Sequence, residues 1–148
     1  MKLVSACLLG VRCTWDGTGK NRDEKLVELS KRETLIPVCP EQLGGLGTPR
    51  PPQEIQGGSG ADVVDRKCRV RNRDGRDVSQ EFLRGAEETL RIARLFGAGQ
   101  FVGKSGSPSC GCGRIYDGSF SGSQVDGDGV TAALLMRSGI TVLTEEDL

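Results

Sequence analysis

Hydrophobic positions along this chain fall into short continuous runs and into stretches with helical spacing. The continuous apolar segments Leu3–Leu9 and Leu35–Val38 predict two buried strands. Between them, the leucines of Arg22–Lys31 recur on one face, which predicts a short helix. The first third of the chain is therefore typical of a strand–helix–strand unit.

The second half of the chain continues this alternation. Ser79 is a typical N-cap for an amphipathic helix that runs to Phe96. A short strand at Gln100–Val102, a helix at Gly129–Ser138 and a strand at Ile140–Leu143 complete the pattern. Strands that alternate with helices predict an α/β fold with a mainly parallel, Rossmann-like sheet and helices on both faces.

The middle of the chain has a different character. Residues 44–60 are rich in glycine and proline and predict a loop. A β-hairpin is predicted around residues 63–78, with arms at Val63–Val70 and Arg76–Val78, because Asp74-Gly75 favours a hairpin turn. No repeat or linker interrupts the pattern, so residues 1–148 are predicted to form one domain.

Charge and hydropathy narrow the class of partner. The chain has 20 basic and 20 acidic residues, and 4% of its residues are aromatic, so neither charge nor aromatic content favours nucleic acid. The basic stretch 66–76 is interpreted first as a solvated edge, with contact to RNA as the less favoured alternative. No apolar run of about 18 residues predicts a membrane span. We expect a cytoplasmic protein with reduced thiols; the sequence carries no signal for its oligomeric state.

The chain has six cysteines and no histidine, which limits the side chains available for acid/base catalysis and metal binding. The absence of histidine removes the usual acid/base group at neutral pH and the mixed Cys/His zinc sites. Cys7 lies at the end of the first apolar run, Cys39 directly after the second, and Cys110 in the loop that follows Gln100–Val102. Because ligands bind beyond the carboxyl ends of parallel strands, these thiols are predicted to meet at one edge of the sheet. Such a group suits a soft metal centre.

Several sequence segments resemble the DUF523 family, in the family's order and over nearly the whole chain. They are Ser5–Gly10 with Cys13–Gly17, Cys39–Arg50, Lys104–Gly111, Ile115–Gly122 and Gly129–Leu135. The family includes thiouracil desulfidases, and the resemblance implies a 4Fe-4S cluster on Cys7, Cys39 and Cys110 with one iron open to substrate sulfur. Cys13 is a further candidate ligand. Trp15, Gly106 and Cys112 depart from the family's common pattern.

This resemblance predicts an iron–sulfur-dependent, non-redox desulfidase. Its substrate would be a thiolated nucleobase such as 2-thiouracil, or a related small thiocarbonyl compound, with sulfide as product. Glu41 lies two residues after a predicted ligand and is the best general acid/base in a chain without histidine. Ser107 and Ser109 are candidates for orienting the substrate by hydrogen bonds. The alternatives are a helix-start carboxylate for Glu41 and turn formation for the serines.

Two other interpretations of the cysteines remain open from the sequence. A structural or regulatory zinc site would use Cys7, Cys13, Cys39 and Cys110 without catalysis. A thiol-redox protein would use Cys110 and Cys112, although the Cys-x-Cys spacing is strained for a disulfide.

Overall fold

The structure, a computed structural model, describes all residues from 1 to 148. Its strands are β1 (Lys2–Ser5), β2 (Leu35–Val38), β3 (Gln53–Gln56), β4 (Arg69–Asn72), β5 (Gln100–Gly103), β6 (Arg114–Tyr116), β7 (Gln124–Asp126) and β8 (Thr141–Thr144). Its α-helices are α1 (Glu24–Leu29), α2 (Pro40–Leu43), α3 (Gly60–Val64), α4 (Ser79–Phe96) and α5 (Val130–Arg137). Short 3-10 turns occupy Ala6–Leu9 and Glu145–Asp147. None of the helices is long and apolar enough to cross a membrane.

A four-stranded parallel sheet in the order β2-β1-β5-β8 forms the centre of the fold. The side chains of successive strand residues point to opposite faces. Leu3 and Phe101 accordingly pack in one apolar cluster with residues of α4 and α5. Val4 and Val102 pack on the opposite face with Leu26 of α1. The predicted parallel sheet with helices on both faces is confirmed.

The long helix α4 runs from Ser79 to Phe96 and packs closely against α2, although its N-cap residue is Val78 and not Ser79 as predicted. Gly97 ends the helix in the left-handed conformation, with φ +65°. A Cβ on Gly85 would lie 1.9 Å from the carbonyl oxygen of Pro40, and a Cβ on Gly44 would lie 1.9 Å from that of Glu81. Only glycine permits this approach. The contact fixes α2, and with it the segment that carries Cys39.

The first predicted strand is shorter than expected. β1 ends at Ser5, and the apolar residues up to Leu9 form a 3-10 turn that Gly10 closes with φ +92°. Leu8 is buried in this turn against Val4 and Leu26. A continuous apolar run does not distinguish a buried strand from a buried turn, which explains the error. Cys7 therefore lies in the turn, beyond the end of its strand.

The middle of the chain differs most from the prediction. Val63 and Val64 belong to α3, which a capping box between Ser59 and Asp62 begins, and not to a strand. The turn after β4 is present, but its second arm makes only the single bridge Arg71↔Asp77. The main partner of β4 is β3, which lies in the predicted loop 44–60. A second antiparallel pair, β6 with β7, was also not predicted.

Candidate active site

A cavity of about 410 Å³ opens at the carboxyl ends of the parallel strands. Four of the six thiols lie in its wall: Cys7, Cys13, Cys39 and Cys110. Cys7 follows β1, Cys39 follows β2, and Cys110 lies in the loop after β5. The sheet therefore brings together three cysteines that are distant in sequence, in the arrangement that the strand-end pattern predicts.

Close backbone packing and a serine set the position of Cys110. A Cβ on Gly103, at the end of β5, would lie 2.1 Å from the carbonyl oxygen of Cys110. The hydroxyl oxygen of Ser107 accepts hydrogen bonds from the backbone N–H of Ser109 at 3.1 Å and of Cys110 at 3.0 Å. The loop is thus folded tightly against the strand, with the Cys110 side chain buried.

Electrostatic interactions link the three thiols. Burial raises the pKa of Cys110, and the charges of Cys7 and Cys39 raise it further. Burial also raises the pKa of Cys7, although a hydrogen bond from Asn21, with Nδ2 3.7 Å from Sγ, opposes this effect. Burial therefore favours the protonated form of these two thiols, and a positively charged metal centre would favour their thiolates.

Cys39 is the exception among these thiols. Hydrogen bonds from the Cys13 thiol and from the backbone N–H of Gln42 hold the pKa of Cys39 at about 7, although its burial acts in the opposite direction. The same contact with Cys39 raises the pKa of Cys13 far above its ordinary value. Cys39 and Cys13 are therefore in direct contact, and the Cys39 thiol also donates to the carbonyl oxygen of Cys13, with Sγ 3.7 Å from that oxygen.

Glu41 and Arg50 form an ion pair in the same wall. Nη2 of Arg50 donates to Oε2 of Glu41 at 3.0 Å, and their side chains are 4% and 16% exposed. Burial raises the pKa of Glu41, and the charge of Arg50 partly reverses that rise. Arg50 also donates to the carbonyl oxygens of Cys13 and Gly47. It therefore ties the carboxylate to the segments around the thiols.

The two predicted serines have different surroundings. Ser107 lies in the cavity wall, and because its oxygen accepts two backbone N–H groups, its own proton remains free to donate. Ser109 is only 1% exposed and does not line the cavity. Its hydroxyl pairs with that of Thr131 on α5 at 3.1 Å. The structure thus does not support Ser109 as a substrate-orienting group, because its hydroxyl is committed to holding the loop on α5.

Cys112 and Cys68 lie outside the cavity. The Sγ of Cys112 faces the carbonyl oxygen of Val142 at 3.8 Å, and Cys68 packs in the apolar cluster around α3 and α4. All six cysteines are free thiols. Cys110 lines the cavity and Cys112 does not, so the structure gives no support to the redox-pair hypothesis.

The cavity thiols are the donor type that an iron–sulfur cluster uses. No three cysteine, aspartate or glutamate side chains lie at the spacing that one metal ion requires. The irons of a cluster are spread over a larger volume, so its thiolates stand farther apart than the ligands of one ion. Soft, all-thiolate ligands are also the set that iron–sulfur clusters use.

Several cavity residues were not singled out from the sequence, among them Arg50, Gln53 and Phe120. Arg50 lies in one of the segments that resemble the family, but a buried arginine gives no local signal of its own. Gln53 lies in a region predicted to be loop. Only the tertiary structure shows that these residues line the same cavity as the thiols.

Comparison with known proteins identifies the family of this chain. Residues 3–147 match the 2-thiouracil desulfurase family. The chain belongs to this family. The resemblance to the DUF523 family is thereby confirmed. A family member from Bacillus subtilis (strain 168), described as the uncharacterized protein YbbK, is 43% identical over 148 residues, which cover 100% of this chain and 97% of YbbK.

A solved structure is also similar to the chain described here. It is the 4Fe-4S-dependent thiouracil desulfidase TudS, with a TM-score of 0.88 and 43% sequence identity. The match covers 99% of this chain and 91% of the TudS chain. Nearly the whole chain therefore shares its fold with an iron–sulfur enzyme.

Proposed function

We propose that this protein is a 4Fe-4S-dependent desulfidase that replaces the sulfur of thiouracil, or of a related small thiocarbonyl compound, by oxygen and releases sulfide. The observation that carries the proposal is the meeting of three thiols from distant segments with one carboxylate in a single cavity. Membership in the 2-thiouracil desulfurase family and the similarity to TudS support it.

Cys7, Cys39 and Cys110 are the residues that would hold the cluster. Cys13 is the fourth thiol in the wall and remains a candidate ligand. Held by these three thiolates, a 4Fe-4S cluster would supply one iron without a protein ligand as a soft Lewis acid toward sulfur.

Glu41 is the proposed general acid/base. Its carboxylate accepts a proton from the water that adds to the thiocarbonyl carbon, and it returns that proton as the carbon–sulfur bond breaks. Arg50 holds the carboxylate in place during both steps. Ser107 donates a hydrogen bond to the substrate from its free hydroxyl proton. Water is consumed and hydrogen sulfide is released, so no electrons are transferred.

The cavity favours a small molecule as substrate. Its volume of about 410 Å³ lies in the range of small-ligand pockets. Free thiolated base is therefore the proposed substrate form, with the same base in RNA as the less favoured one.

The proposal extends to domain organisation and location. Residues 1–148 act as one domain, since β1 and β8, from opposite ends of the chain, both pair with β5. Six free cysteines agree with a reducing compartment, and we infer the cytoplasm.

Anaerobic reconstitution with iron and sulfide tests the function. The loaded protein is expected to contain about four irons per chain and to release sulfide from 2-thiouracil with uracil as co-product. Protein that carries a full cluster and forms no uracil would contradict the proposed activity. Protein that binds no iron under these conditions would contradict the cofactor as well.

A further inference from the structure

The side chain of Gln53 lies in the cavity wall and makes no hydrogen bond with another residue. It is the first residue of β3 and is 7% exposed. Ile55, on the same face of the strand, is buried in the apolar cluster around α3 and α4, so this face of β3 passes from the core to the cavity at Gln53. The Gln53 carboxamide makes no hydrogen bond with the protein, yet it is not among the fully enclosed polar atoms. One donor group and one acceptor group are thus available at the cavity.

Phe120 lies in the same wall in an unusual backbone conformation. Its φ is +56°, a left-handed value that few non-glycine residues adopt. The carboxylate of Glu54, itself 8% exposed, enforces it here: Oε1 accepts the N–H of Phe120 at 3.1 Å and of Gly118 at 2.9 Å. Strained residues of this kind concentrate at ligand sites.

Further contacts pin the Phe120 loop to β3. The side chain of Gln56 donates to the carbonyl oxygen of Gly118 at 3.0 Å. A Cβ on Gly118 would lie 2.6 Å from the carbonyl oxygen of Ile55. The guanidinium of Arg73 lies 5.9 Å from the centroid of the Phe120 ring. The ring is therefore held in the same wall as the Gln53 carboxamide.

We propose that Gln53 and Phe120 form the recognition site for the ring of the substrate. The Gln53 carboxamide accepts a hydrogen bond from a ring N–H and donates one to a ring carbonyl, and the Phe120 ring covers a face of the planar heterocycle. The ligand class is a planar pyrimidine with a cyclic amide edge. This inference rests on the proposed function for the choice of base. The recognition site itself requires no sulfur in the ligand.

Binding of sulfur-free bases to the loaded protein tests the site separately from desulfuration. Calorimetric titration with uracil and with 1,3-dimethyluracil compares a base that has ring N–H donors with one that lacks them. The parent protein is expected to bind uracil about tenfold or more tightly than the dimethyl compound. Gln53→Met, which keeps the side-chain length, is expected to bind the two almost equally. Gln80→Met, on an exposed residue outside the cavity, serves as the matched control.

The role of Phe120 is tested with two ligands that differ in the planarity of their ring. Phe120→Leu is expected to weaken binding of planar uracil about tenfold and to weaken binding of puckered 5,6-dihydrouracil much less. Phe96→Leu, half-exposed at the end of α4, is the control. Equal preference for uracil over 1,3-dimethyluracil in the parent and Gln53→Met would overturn the assignment of Gln53. Equal losses for uracil and dihydrouracil would overturn that of Phe120.

Two further outcomes separate this site from the activity. Parent protein without measurable affinity for uracil would overturn the recognition site even if sulfide is released from thiouracil. Conversely, uracil binding that depends on Gln53 in a protein without desulfidase activity would leave the site in place and refute the proposed function. If Gln53→Met does not fold, a parent protein that binds 1,3-dimethyluracil as tightly as uracil would still overturn the assignment of Gln53.

Discussion

The guanidinium of Arg50 holds the carboxylate of Glu41 beside the thiols, with Nη2 3.0 Å from Oε2. The same nitrogen reaches the carbonyl oxygen of Cys13 at 2.9 Å. Arg50 therefore fixes Glu41, the proposed proton carrier, relative to the N-terminal segment that carries the cavity thiols Cys7 and Cys13. A carboxylate held this way acts in a fixed position, as proton transfer requires.

Glu41→Gln keeps the shape of the side chain and removes the proton acceptor. We expect the variant to load a full cluster and to release sulfide from 2-thiouracil about 10²- to 10⁴-fold more slowly. Glu87→Gln, on an exposed position of α4, should leave the rate unchanged. A parental rate in Glu41→Gln with full iron content would exclude Glu41 as acid/base and make Ser107 or a bound water the next candidate.

Alanine substitution of the cysteines tests the ligand set. Cys39→Ala and Cys110→Ala should lose iron after anaerobic reconstitution, because the cluster then keeps only two protein ligands. Cys68→Ala and Cys112→Ala should keep it, since both thiols lie outside the cavity. Iron and sulfide per chain are the measurements. The same iron content in all four variants would refute the assignment.

The variant Cys13→Ala tests whether Cys13 is a cluster ligand or only a neighbour of Cys39. Three other thiols line the cavity, so we expect the variant to retain iron, although Cys39 loses the hydrogen bond from Cys13. Iron content is compared with that of the parent and of Cys39→Ala. A loss as large as in Cys39→Ala would identify Cys13 as a fourth ligand.

We expect the hydroxyl of Ser109 to stabilise the folded protein. Ser109→Ala leaves the buried hydroxyl of Thr131 without its partner and should lower the free energy of unfolding by about 1–3 kcal/mol. The double variant Ser109→Ala/Thr131→Val removes both hydroxyls and should recover part of this loss. Urea denaturation measures the effect. Unchanged stability together with slower sulfide release per loaded cluster would instead favour a role in turnover.

Glu145 should make stability depend on pH. Burial alone would raise the pKa of Glu145, but hydrogen bonds from Lys104 and Ser105 outweigh it and hold the pKa below its ordinary value. Such a depressed pKa stabilises the fold above the ordinary glutamate pKa, and this stabilisation is lost as the pH falls through the lowered pKa.

The variant Glu145→Gln removes this titration. It is expected to lose about 1–3 kcal/mol of unfolding free energy at pH 7, where the carboxylate accepts charged hydrogen bonds. The difference from the parent should shrink as the pH falls below about 4. Denaturation at several pH values provides the comparison. A difference that is constant from pH 3 to pH 7 would contradict the assigned linkage.

Local sequence patterns were sufficient to predict the strands and helices whose apolar residues form one buried face. The β2 bounds, the helix from Ser79 to Phe96 and its end at Gly97 follow from apolar spacing and from the freedom of glycine. The same reasoning placed three cysteines at the carboxyl edge of a parallel sheet, because strand ends of one sheet must share an edge. The chemistry of the site, soft thiols and a carboxylate without histidine, was likewise evident from residue types.

Tertiary contacts decided the rest. β3 has too few apolar residues to be predicted alone and forms because β4 pairs with it. Ser109 looks like Ser107 in the sequence, but packing against α5 commits its hydroxyl to Thr131 and leaves only Ser107 in the cavity wall. The conformation of Phe120 depends on Glu54, 66 residues away. Such long-range contacts leave no periodic signal in the chain, because they arise only when the folded elements meet.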